Sequence, residues 1–157
     1  MKNHDYFIEK AIALAKKSML NGKGGPFGAL VVKDDVIVGE GCNSVTSQND
    51  PTAHAEVVAI RNACKNLDSF QLTGCIIYSS CEPCPMCLGA IYWARPEKLV
   101  FACTKEDARE AGFDDQFIYE EINLKFSERK IKTAQVGRKD ALEVFQLWKE
   151  KKDRVDY

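Results

Sequence analysis

The sequence predicts an α/β chain: a mixed sheet with helices on both faces, three layers deep. Three observations predict it. Short apolar runs alternate with longer segments whose apolar residues recur at helical spacing. The first two short runs are separated only by Asp34-Asp35, as in a β-hairpin. The later runs are separated by helical segments, the crossovers that parallel strands require. At 157 residues the chain has the size of one domain, spanning 1–157, and can bury a real core.

Residues 5–21 place Phe7, Ile8, Ala11, Ile12, Ala15 and Met19 on one helical face, and Gly22, Gly24 and Gly25 break the pattern. Ala29 to Val32 and Val36 to Val38 form the hairpin strands, although Asp-Asp is a poorer turn than Asn-Gly. A polar loop, 43–51, leads into a helical pattern from Thr52 to Leu67. Residues 75–80, "CIIYSS", read as a strand buried on both faces. Pro85 to Trp93 is helical, and 98–103, "KLVFAC", is a second buried strand. Mixed helix and loop come next, then "KTAQV" as a fifth strand. The C-terminal helix, 138–152, turns Leu142, Phe145 and Trp148 inward.

Composition narrows the function. Net charge is −1, whereas a nucleic-acid-binding domain is usually strongly basic. No apolar run is long enough to span a bilayer. The charged start, "MKNHDYFIEK", lacks the apolar middle of a secretory signal, and the expected location is the cytoplasm. Seven cysteines agree with a reducing compartment, where cysteines at motif spacing more often bind metal or react than pair.

Cys84 and Cys87 stand at i, i+3 around Pro85, a residue suited to an early helical position. A helix N-terminus also favours thiolates. Two thiolates do not complete a tetrahedral site. Of the two histidines, His4 lies in a stretch expected to fray, which leaves His54. His54 and Glu56 are two residues apart and can converge only at a helix's first turn, aimed off its end. The pattern therefore predicts two helix starts pointing at one ion, one bringing His54 and the other Cys84 and Cys87. Three protein ligands are the catalytic form of a zinc site, with Glu56 as proton carrier.

Each part has an ordinary reading as well. Cys-x-x-Cys also serves as a redox pair or half of a structural site. A histidine at a helix start can cap it, and a first-turn glutamate can simply complement the dipole. Cys81 as a fourth ligand would close the site. Cys42, Cys64, Cys75 and Cys103 are expected to pack as small apolar residues.

His54-Ala55-Glu56 with Pro83-Cys84-Pro85-Met86-Cys87 resembles the H-x-E then P-C-x-x-C signature of the zinc nucleobase deaminases of the cytidine-deaminase-like superfamily. The resemblance runs from the first helix to the last residue. It implies a five-stranded mixed sheet between helices, one Zn2+ per chain, and His54, Cys84 and Cys87 as its ligands. "GGPFGALVVKD", "NDPTAHAEVVAIR", "SSCEPCPMCLGAIYWARP" and above all "AGFDDQFIYEEI" are most similar to the bacterial guanine-deaminating members.

The resemblance further implies a small purine base as substrate, hydrolysed to xanthine and ammonia. It implies Glu56 and Asp115 as the catalytic carboxylates, with Ala55 N–H, Asn43, Phe27, Trp93 and Tyr157 in contact with the base. It also implies a homodimer, with residues 138–157 closing the site or crossing to a partner subunit. Asn43 also reads as a turn residue, Asp114-Asp115 as a cap pair, and Phe27 and Trp93 as core. The competing functions are a transfer-RNA adenosine deaminase, a non-catalytic zinc module and a disulfide oxidoreductase.

Overall fold

A computed structural model describes residues 3–157. Its elements run α1 (His4–Leu20), β1 (Gly28–Lys33), β2 (Val36–Cys42), α2 (Val45–Gln48), α3 (Ala55–Leu67), β3 (Cys75–Cys81), α4 (Pro85–Ala94), β4 (Lys98–Cys103), α5 (Lys105–Glu110), α6 (Gln116–Asn123), a 3₁₀ turn (Phe126–Glu128) and α7 (Arg138–Glu150). They form two compact units, one ending at Asp115 and the other Gln116–Tyr157.

In the first unit β1 and β2 pair antiparallel, as the hairpin reading requires. Asp34 and Asp35 take φ of 50° and 61°, the double left-handed conformation of a type I′ turn. Aspartate tolerates that region better than most residues, which is why Asp-Asp works here without glycine. β3 pairs antiparallel with β1 and parallel with β4, giving the order β2-β1-β3-β4 in a mixed sheet.

The fold is α/β as expected, but among the described residues the sheet has four strands, not five. Residues 132–136 form no strand. Their β-branched and polar composition permits an extended backbone, but a strand also needs a ladder partner. The second prediction to fail concerns β4. It is an edge strand whose last three residues are exposed, not a strand buried on both faces. Cys103 at its end is exposed accordingly, instead of packing in the core.

Alternation along the central strands sorts the core into two layers. Ala29, Val31, Cys75 and Ile77 pack with Ala55, Ala59 and Ala63 of α3. Leu30, Val32 and Tyr78 pack on the other face with Phe7 and Ala11 of α1. Fully burying a side chain such as Leu30 or Phe7 stabilises the fold by about 1.5–3 kcal/mol. Small residues let α3 approach closely: a Cβ on Gly41 would stand 2.1 Å from Ala55 O, and one on Gly39 2.5 Å from Ala59 O. These contacts fix the start of α3, and with it His54.

His4 does not fray as the sequence suggested. It opens α1, its Nδ1 lies 2.9 Å from Tyr78 Oη, and Lys98 Nζ lies 3.0 Å from its Nε2. In the second unit α7 forms as expected, but its apolar residues are not buried. Leu142, Phe145 and Trp148 are 45%, 65% and 39% exposed. Periodicity tells which residues share a helix face; it does not tell what covers that face.

Candidate metal centre and active site

The predicted pair of helix starts is present. His54 is the N-cap of α3 and Cys84 the N-cap of α4, both with extended backbone. Neither side chain caps its own helix, so each can project beyond the first turn. Pro85 occupies the first turn of α4. An Asx turn sets up the approach to α3: Asp50 Oδ1 accepts from Thr52 N at 2.8 Å and Thr52 Oγ1 at 2.7 Å.

The ligand atoms of His54, Cys84 and Cys87 all lie within 4.8 Å of one another, with His54 Nδ1 3.6 Å from Cys84 Sγ. A tetrahedral ion bound at the usual Zn–S and Zn–N lengths would need edges of about 3.5–3.8 Å. The donors are an imidazole and two thiols, the set zinc prefers. Residues and spacing therefore fit the metal. Cys81 is not a fourth ligand: its thiol points to Thr104 O at 3.5 Å, and burial pushes it up to about 11. Among the described residues three ligands converge, not four.

The electrostatics agree. The Cys84 thiol is pushed down to about 4, chiefly by its hydrogen bond with Cys87 and further by His54. Cys87 is driven upward by that same bond, by burial and by Glu56. The two thiols thus titrate as a coupled pair, with Cys84 giving up its proton before Cys87. Cys84's hydrogen bond raises His54 above its ordinary value, against the opposing effect of burial.

Glu56, in the first turn of α3, is 5% exposed and accepts a hydrogen bond from Ser79 Oγ at 2.8 Å. Asn43 follows the end of β2 and is buried. Its Oδ1 accepts from Gly25 N at 3.1 Å and Val45 N at 3.4 Å, which commits the oxygen and leaves Nδ2 as its remaining polar end. Ser44 N donates to Ala53 O at 2.9 Å, tying this corner to the residue before His54. Ala55, fully buried, is the first residue of α3, where N–H groups have no acceptor within the helix.

Phe27 packs against the α3-side core and meets Phe113 edge to face, centroids 4.9 Å apart. That contact pins the "AGFDD" segment carrying Asp115. The Asp115 carboxyl is raised, first by its partial burial and then by the nearby Cys84. It in turn contributes to raising His54, so it lies within electrostatic reach of the cluster.

Two of the predicted contact residues, Trp93 and Tyr157, are exposed. Trp93 is at the far end of α4, 64% exposed and roughly 13 Å along the axis from Cys84. Tyr157 is 68% exposed in the second unit. Sequence reasoning also missed Ser79 and Phe113. Paired serines ending an otherwise apolar buried strand were the available signal for the first.

The family model for the cytidine and deoxycytidylate deaminase zinc-binding region matches residues 1–103. The chain belongs to this family. Of the residues brought together at the site, all but Phe113 and Asp115 fall within the matched span. The chain is 54% identical to guanine deaminase of Bacillus subtilis over 99% of both sequences. It superposes on the X-ray structure of a Bacillus subtilis guanine deaminase with a TM-score of 0.97, covering 99% of each chain. A tRNA-specific adenosine deaminase of Buchnera aphidicola is 39% identical over 81% of this chain and 82% of its own. The likeness to guanine deaminase thus continues beyond the zinc-binding region.

Proposed function

We propose that the chain is a zinc-dependent guanine deaminase, a hydrolase converting guanine and water to xanthine and ammonia. The observation that carries the reading is Asp115. It lies outside the shared zinc-binding region, within the full-length likeness to guanine deaminase, and reaches the metal cluster electrostatically.

His54, Cys84 and Cys87 would hold the zinc. When bound, the metal supplies the Lewis acidity that makes water a nucleophile near neutral pH. Glu56 would take the water's proton and pass it to a ring nitrogen, then carry the proton of the added hydroxyl to the exocyclic amine at C2, which leaves as ammonia as the C2 carbonyl forms. Ala55 N–H, at the start of α3, would donate to the base oxygen or to the developing charge on the ring. Asn43 offers Nδ2, a donor suited to a keto oxygen. Asp115 accepts from adjacent ring N–H and amino donors, a pairing that guanine presents and adenine does not. Phe27, backed by Phe113, forms one wall of the base site.

The working form is a homodimer of single deaminase domains in the cytoplasm, with exchange of the C-terminal segments. Two surfaces support it: the β4 edge of the sheet and the exposed apolar stripe of α7. Seven unpaired cysteines suit a reducing compartment. Among the described residues, no helix is long and apolar enough to cross a membrane.

Ammonia release from guanine, cytosine, adenine and an adenosine-containing RNA stem-loop tests the substrate. Guanine should be turned over best. Preferential turnover of the RNA would replace this reading with the transfer-RNA one.

A further inference from the structure

Ser79 interrupts the apolar row that faces α3. Along β3 the side chains of Cys75 and Ile77 join the core cluster beneath that helix. The next residue on that face is a serine, 1% exposed. A buried hydroxyl is costly unless bonded, and packing alone would favour alanine there. Its hydrogen bond goes to Glu56 Oε1 at 2.8 Å.

The two partners differ in freedom. Glu56 sits in the first turn of α3, and its carboxyl lies at the end of three rotatable bonds. Ser79 lies in the middle of the sheet, paired with Ala29 on one side and Phe101 on the other. The rigid partner therefore orients the flexible one. Glu56 also raises the Cys87 thiol, so the carboxyl that Ser79 holds acts on a metal ligand as well.

We infer that Ser79 is a positioning residue for the deamination chemistry: its hydroxyl fixes the Glu56 carboxyl against the metal cluster. The inference rests on the deaminase reading only in taking Glu56 as the proton carrier. Ser79 is not one of the three converging ligands and its hydroxyl is bonded to Glu56, so its removal should act on the chemical step and not on substrate binding. Misplacing a reacting group by about 1 Å can cost about a hundredfold, and a lost anchor short of that costs less.

The test compares Ser79→Ala, Ser79→Thr and Ser79→Cys with the parent protein, measuring kcat, KM, zinc per chain and melting temperature. Ser79→Ala should lose about tenfold or more in kcat, with KM within about twofold and zinc unchanged. Ser79→Thr keeps the hydroxyl and should remain within about threefold. Parental kcat in Ser79→Ala, or equal loss in Ser79→Thr, would overturn the inference. If Ser79→Ala does not fold, Ser79→Cys decides: a weak thiol donor should fall well below Ser79→Thr, and equal kcat would overturn it. All kinetics are run on the full base panel. Turnover of another base with the same Ser79 dependence would refute the guanine assignment alone. A parent protein inactive on every base would refute both.

Discussion

Replacing Gly41 with alanine should disable the site without touching it. Gly41 lies in β2 beneath the first turns of α3. A methyl there would stand 2.1 Å from Ala55 O and 2.4 Å from Ala59 N. Both are backbone atoms, so no side-chain rotation relieves the clash. Restoring van der Waals contact requires the start of α3 to retreat by about 1 Å. Ala55 lies between His54 and Glu56, and both move with it. Cys84 and Cys87 stay, because α4 hangs from β3. A displacement of that size is worth about a hundredfold in rate, and the overpacking about 1–3 kcal/mol of stability. The assay is kcat/KM on guanine with zinc content and melting temperature, using Gly89→Ala as control. A Cβ on Gly89 meets nothing within 4 Å, and alanine there should stabilise α4 by about 0.5–1 kcal/mol. Parental kcat/KM and full zinc in Gly41→Ala would refute the claim that helix–strand approach sets the site.

Two further outcomes are expected. Zinc affinity should fall on acidification. His54 and Cys87 both hold their protons more tightly than free side chains and must release them to bind, whereas Cys84, at about 4, is already a thiolate. A competition titration between pH 6.5, the ordinary histidine value, and about pH 8 should show affinity rising with pH; a flat or inverse profile would contradict this. Deleting the last few residues with Tyr157 should raise KM or lower kcat, and unchanged kinetics would remove the tail from the base site.

The metal site was legible because each part is a local matter. Cys84-Pro85-Met86-Cys87 is a helix start by its proline, and Asn49 to Thr52 is another, so His54 and Glu56 could be placed at a helix tip before any coordinates. The hairpin was legible from two apolar runs and their spacing. What failed depends on partners the local pattern does not name. β4 has the composition of a buried strand but lies at an edge. "KTAQV" lacks a ladder. Leu142, Phe145 and Trp148 share a face that nothing in this chain's sequence says how to cover. Ser79 was overlooked because its role exists only where β3 passes beneath α3.

One measurement bears on the central claim most directly: zinc content and ammonia release from guanine, taken on the same samples of the parent protein and Glu56→Gln. The account predicts about one zinc per chain in both, xanthine and ammonia in equal amounts from the parent, and a loss of turnover of about a hundredfold or more in the variant. Full activity in metal-free protein, or unimpaired turnover in Glu56→Gln, would contradict it.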